Sequence, residues 1–201
     1  MSIPVEFYFD YVGPYAYLAN TQLPKLGLDV IHKPISILDV MKKVGNQPSP
    51  KCPPKLAHAM ADTARLAKRH GVPLAPNAEI FAGLQSGEAD LHFFARAALA
   101  AQKLGEFVPF HAATFDAFWG HPKSIITADA FAAVLNAAGV SGDTIVALAR
   151  QRETEDSLDQ ANDAAVAAGV FGVPFFRVGE NVFFGSDRLD FVKEYALEGA
   201  Q

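Results

Sequence analysis

The sequence predicts an α/β fold in which a β-α-β opening and an α-β-β-α close flank an entirely helical middle. Three observations carry this prediction. The first ten residues, "MSIPVEFYFD", run into a short aromatic, β-rich segment. Two more such segments, "VPFFRV" and "NVFF", come only near the other end, at 173–178 and 181–184. Between residues 56 and 150 the apolar residues recur every three to four positions, and no strand signal interrupts them.

Residues 4–10 open the chain as a buried strand. Pro14 follows in the first turn of a helix, where proline sacrifices no hydrogen bond. Tyr15, Leu18, Leu23 and Leu26 space that helix over 14–26, and Gly27 stops it. "LDVIHKPI", 28–35, reads as the second strand, with His32 assigned to its solvent face, and completes a βαβ unit. "MKKVGNQPSPKCPPK", 41–55, reads as a loop, because four prolines and a glycine sustain neither a helix nor a central strand.

Leu56, Met60 and Leu66 share one face of a helix over 56–70, ended by Gly71 and Pro73. Ala-rich helices fit 89–104 and 109–119; Thr127 caps another to 138, and Ser141 one to 150. Residues 157–168 form a helix stopped by Gly169, and the two final strands make a hairpin across Gly179 and Glu180. Gly185 and Ser186 lead into a closing helix with Leu189, Val192 and Ala196 on one face. This order is that of a thioredoxin-like core, residues 1–37 and 157–201, split by an all-helical insertion over 38–156.

The 201 residues, half of them apolar, bury an ample core without disulfides or metals. A net charge of −5 argues against a nucleic-acid groove and against a patch for anionic membranes. Cys52 is the only cysteine, which rules out a disulfide framework, a CxxC redox pair or a thiolate zinc cage within one chain. The histidines show no metal-ligand spacing with carboxylates, so no metal is expected. With no membrane-length apolar stretch and no basic-then-apolar leader, the expected compartment is the cytoplasm.

Three stretches converge in such a core. The first is the strand-to-helix joint at Gly13. The second is "GVPFF", 172–176, where Pro174 takes the position of the thioredoxin cis-proline. A cis bond there turns the N–H and C=O of Val173 outward, free to pair with a peptide-like ligand. The third is "GSDRL", 185–189, in which Ser186 can cap the last helix with Asp187 beside it.

"FYFDYVGPYAYLAN", "GNQP", "GVFGVPFF" and "FFGSDRLDFV" resemble the 2-hydroxychromene-2-carboxylate isomerases and their relatives, the kappa-class glutathione transferases. The resemblance runs over nearly the whole chain, including a "HGVPL" turn in the insertion. Each motif is short, but four in this order on the expected elements are specific. The resemblance implies a homodimer with glutathione as cofactor, bound between core and insertion, and an aromatic carboxylate as substrate.

By the same resemblance, Val173 pairs through its backbone with the cysteinyl part of glutathione, with Pro14, Tyr15 and Pro174 alongside. Ser186 and Asp187 match the family's "SD" or "ND" and hold the γ-glutamyl end: the helix start favours its carboxylate, and Asp187 accepts from its ammonium. Asn46 and Lys55 match polar residues of the insertion. A lysine entering a helix N-terminus is unfavourably placed unless a carboxylate sits against it. Asn46 beside Gly45 is also good turn chemistry. Trp119, in an echo of the family's "WG", is a candidate wall for an aromatic substrate, against the plainer reading of packing.

Gly13 is where the sequence departs from the family. The family reads Ser-Pro here, and the related periplasmic thiol oxidoreductases read Cys-Pro-x-Cys; this chain reads Gly13, Pro14, Tyr15, Ala16. Dithiol–disulfide exchange is excluded, and the serine that would hold the glutathione sulfur as thiolate is missing. Cys52, in the loop between Asn46 and Lys55, is a candidate for a mixed disulfide only if its pKa is depressed. The resemblance therefore implies an isomerase working by reversible thiolate addition to an aromatic 2-hydroxy acid or enone. A glutathione transferase and a non-catalytic glutathione-binding protein are the alternatives.

Overall fold

The computed structural model describes residues 2–198. Strand β1 (Val5–Phe9) leads into helix α1 (Pro14–Gln22), a 3₁₀ turn (Leu23–Leu26) and β2 (Val30–Pro34). Then come α2 (Ile37–Val44), a 3₁₀ turn (Ser49–Lys51) and α3 (Pro53–His70). Helices α4 (Ala78–Ser86), α5 (Leu91–Leu104), α6 (Phe107–Phe115), α7 (Ala128–Ala137), α8 (Gly142–Ala149) and α9 (Arg152–Ala167) follow. The close is β3 (Phe175–Val178), β4 (Asn181–Phe184), a 3₁₀ turn (Ser186–Arg188) and α10 (Leu189–Glu198).

The four strands form one sheet in the order β2-β1-β3-β4, with β1 parallel to β2, antiparallel to β3, and β3–β4 a hairpin. The chain divides into two compact units at Val72/Pro73 and again at Gln160/Ala161, against expected boundaries at 37/38 and 156/157. The sheet, α1 to α3, the end of α9 and α10 make one unit. Helices α4 to α8 and the start of α9 make the other.

Alternation in β1 sets both faces of the sheet. Val5, Phe7 and Phe9 point one way and are fully buried; the Phe7 ring stacks 5.2 Å from both Phe9 and Phe176. Tyr8 points the other way, into a cluster with Ile35, Ile37, Val40, Ala165, Val170 and Phe175. The register places His32 opposite Phe7, so its ring lies edge-on to Phe7 and Phe9 rather than on the expected solvent face. Burial lowers its pKa from 6.5.

Two helices differ from expectation. Ile37–Val44 is a helix, with Val40 fully buried and Gly45 (φ 73°) ending it, so the loop begins later than residue 41. Residues 78–86, given no element above, form α4, whose start is capped by Asn77 accepting from the Ile80 N–H at 3.2 Å. In the helical unit Phe94 packs against Phe118 (4.8 Å) and Phe131 (5.2 Å), the apolar core that the Ala/Leu/Phe periodicity foretold.

Candidate functional site

Asp10 delivers β1 to the joint. It is buried; its carboxylate accepts from the N–H groups of Val12 (3.2 Å) and Ile37 (2.8 Å), and its backbone C=O accepts from Gly13 (3.1 Å). One acid thus fixes the end of the strand, the joint and the first residue of α2. Ser36, the residue before, gives its N–H to the Asn162 side chain of α9 at 2.8 Å.

Gly13 is the N-cap of α1 with φ −91° and ψ 108°, an extended backbone open to any L-residue. Its N–H is committed to Asp10, and its C=O accepts from Tyr17 at 3.1 Å. A Cβ added here would lie 3.1 Å from Val173 Cγ2, 3.3 Å from the Asp10 C=O oxygen and 3.4 Å from Ala16 Cβ. Pro14 is the first helical residue, and the N–H groups of Tyr15 and Ala16 have no backbone partner among the described residues, as is usual for first-turn donors. The Tyr15 phenol donates to Asp62 on α3 at 3.0 Å. Burial, that bond and the negative charges of Asp62 and Asp187 push its pKa up to about 12.

The Val173–Pro174 bond is cis. Among the described residues, nothing hydrogen-bonds the N–H or C=O of Val173. The Pro174 C=O accepts from Gly185 at 3.1 Å, which ties the third stretch to the second. Gly185 has φ 109°, and Ser186 behind it is buried, with no hydrogen-bond partner for its hydroxyl among the described residues. Asp187 is more than half exposed, 3.1 Å from Arg188 Nη1, and close enough to Tyr15 to act on its phenol. Joint, cis-proline and serine–aspartate turn therefore meet inside one unit.

The remaining candidates are less uniform. Asn46 donates to the Phe171 C=O and accepts from the Gln47 N–H, both at 2.7 Å, so its amide holds the loop that leads to Pro174. Lys55 is exposed in the first turn of α3 with no ion pair among the described residues. Cys52 is the N-cap of that helix and partly exposed. Trp119 belongs to the helical unit, nearly buried on the π-helical turn Asp116–Gly120, its ring 5.1 Å from Phe81. Asp10 and Asp62 escaped the sequence reading. Asp10 could have been suspected as a lone acid ending an apolar strand; nothing local marks Asp62, 47 residues from Tyr15.

A β2-β1-β3-β4 sheet, with a cis-proline facing the start of the first helix, defines a thioredoxin-like protein. The chain belongs to the DSBA-like thioredoxin domain family, whose model matches residues 4–196. It is 29% identical over 204 aligned residues to a 2-hydroxychromene-2-carboxylate isomerase of Sphingobium xenophagum, covering 98% of this chain and 100% of that one. Glutathione S-transferase kappa 1 of Caenorhabditis elegans is 26% identical over 203 residues, 94% of this chain and 89% of its own. A solved structure of 2-hydroxychromene-2-carboxylate isomerase superposes with a TM-score of 0.83 over 98% of both chains at 23% identity, a likeness of fold. Among the described residues no helix is long and apolar enough to cross a membrane.

Proposed function

We propose that this chain is a glutathione-dependent isomerase acting on a bicyclic aromatic 2-hydroxy acid or a ring-opened enone. The observation that carries the reading is the open N–H and C=O of Val173 beside the start of α1, a peptide-pairing edge with no partner among the described residues. The isomerase relatives, matched over nearly their full length, support the reaction class.

Val173 would pair with the cysteinyl backbone as a strand edge pairs with an added strand. Ser186 offers its hydroxyl, without a partner among the described residues, to the γ-glutamyl carboxylate, and Asp187 accepts from the ammonium. Lys55, free of any protein carboxylate among the described residues, takes the glycyl carboxylate or that of the substrate. Asn46 acts at one remove, by fixing the backbone that precedes Val173. Bound glutathione would supply a thiol sulfur for reversible addition to the conjugated system, so that the former double bond can rotate and the cofactor is not consumed. The first-turn N–H groups of Tyr15 and Ala16 are the donors this chain keeps near that sulfur.

The test is calorimetry with glutathione, followed by incubation with a 2-hydroxychromene-2-carboxylate and mass analysis. Binding and a product of unchanged mass support the isomerase. A conjugate heavier by glutathione assigns the transferase reading, which the kappa-class relative favours. Binding without product leaves a glutathione carrier, and no binding overturns the proposal.

A further inference from the structure

A cavity of about 280 Å³ opens within the helical unit, among the start of α5, the loop before it, the start of α7 and the end of α8. It stands at the lower end of the roughly 300–1,000 Å³ typical of ligand pockets, which suits a small molecule. Four charged side chains line it, two of each sign. Arg96 donates to Asp90 at 2.6 Å and lies 3.9 Å from Glu155, while Asp90 also accepts from the His92 N–H at 2.9 Å. Hydrogen bonds from His92 and Arg96 hold the Asp90 carboxyl well below the usual carboxylate range, so this pair is spent internally.

The other two charges are not spent. Glu88 and Arg150 are exposed, and neither side chain has an ion-pair or hydrogen-bond partner among the described residues, each other included. The Nε of Arg96 is buried and also without a partner among the described residues, so the lining holds one donor more than it uses. The apolar part of the lining is Phe93 and Ile126, both only partly buried. Ile126 is seated over Gly83 of α4, where a Cβ would lie 2.5 Å from its Cδ1.

We propose that this cavity binds a zwitterionic α-amino acid with an apolar side chain, at a site independent of the glutathione one. The ligand's carboxylate takes Arg150, its ammonium takes Glu88, and its side chain lies against Phe93 and Ile126. A ligand with one charge satisfies one of the two unpaired groups and leaves the other; an uncharged ligand leaves both. An α-amino acid carries both charges on one carbon, within the small volume available.

The experiment is an NMR titration of the full, isotope-labelled chain at pH 7 with L-phenylalanine, hydrocinnamate, phenethylamine and glycine. Hydrocinnamate lacks the ammonium of phenylalanine, and phenethylamine lacks its carboxylate. Phenylalanine should shift the amides of Glu88, Phe93 and Arg150. It should bind about fivefold more tightly than either analogue, the upper end for an exposed ion pair. Glycine, with no side chain to lay on the apolar wall, should bind about tenfold more weakly than phenylalanine.

Arg150→Gln should bring phenylalanine down to the level of phenethylamine without changing phenethylamine itself. Glu88→Gln should do the same against hydrocinnamate. Both side chains are exposed and have no partner to lose among the described residues, so both variants should melt with the parent. Phenylalanine binding no more tightly than its analogues or glycine overturns the proposal, as do amide shifts confined to Val173 and Ser186. A folded variant that keeps the parent's preference, or no binding by any of the four ligands, overturns it as well.

Discussion

The carboxylate of Asp10 accepts the backbone N–H of Ile37 at 2.8 Å, across 27 residues of chain, while Val12 donates to its other oxygen. Truncation to Asp10→Ala leaves both donors without a partner at a buried turn. Stability should drop by roughly 1–3 kcal/mol, read as a lower urea midpoint at constant slope. Asp10→Asn keeps one acceptor and should lose less.

Tyr15 gives a prediction at high pH. Its phenol is held neutral in the fold, with a pKa pushed from 10.0 up to about 12, chiefly by burial. A raised folded pKa means that the contribution is whole below pH 10 and disappears as pH climbs toward 12. Tyr15→Phe removes that ionisation and the bond to Asp62. The parent should therefore lose stability more steeply than the variant between pH 10 and 12, measured by denaturant midpoints at stepped pH.

His32 gives the mirror case at low pH. Burial against Phe7 and Phe9 lowers its pKa from 6.5, so the neutral ring is the one the fold accepts. Its contribution is complete above pH 6.5 and is lost as pH falls through the lower folded value. His32→Phe should flatten the decline in Tm between pH 7 and pH 5. An equal decline in both proteins would show that other groups drive it.

Gly185 has φ 109° and ψ 149°, a conformation essentially confined to glycine. A Cβ there would also lie 2.6 Å from an Asp187 carboxylate oxygen. Gly185→Ala should cost about 1–3 kcal/mol in stability and weaken glutathione binding by moving Asp187. Thermal melts and calorimetry on the same preparation check both halves.

Two charge changes test how the ligand is held. Asp187→Ala should weaken glutathione about tenfold, the lower end of the range for a hydrogen bond to a charged group, because Asp187 is largely exposed and already faces Arg188. Lys55→Met keeps the apolar stem, and Lys55 is exposed with no ion pair among the described residues to lose. Its melting temperature should stay put while affinity and the salt dependence of affinity fall. Unchanged affinity in both variants would place the ligand elsewhere.

The local grammar of the sequence carried most of the fold. Proline at the start of α1, glycine at helix ends and the two-residue turn before β4 are signals read within a few positions. Helix α2 was hidden because Ile37, Leu38, Val40 and Met41 read equally as strand, and the prolines after it dominate the window. Helix α4 did carry a signal, the Asn77 cap, but one cap with little periodicity behind it is weak. At the site, Gly13, Val173 and Ser186 stand beside punctuation that motifs preserve. The bond from Tyr15 to Asp62 and the pairing of His32 with Phe7 depend on which segments become neighbours, and no local window holds that information.

Strand β1 lies between β2 and β3, and its two neighbours are made at very different times. On the ribosome β2 follows within seconds, but the other edge of β1 must wait for Phe175–Val178. At ordinary elongation rates the gap is on the order of ten seconds or more. Through that interval Phe7 lacks the ring of Phe176, and a row of backbone donors and acceptors faces any passing chain. A ribosome stalled within the helical middle would thus carry a sticky half-sheet, and a premature stop anywhere before residue 175 would release a substrate for chaperones and proteases rather than a smaller working protein.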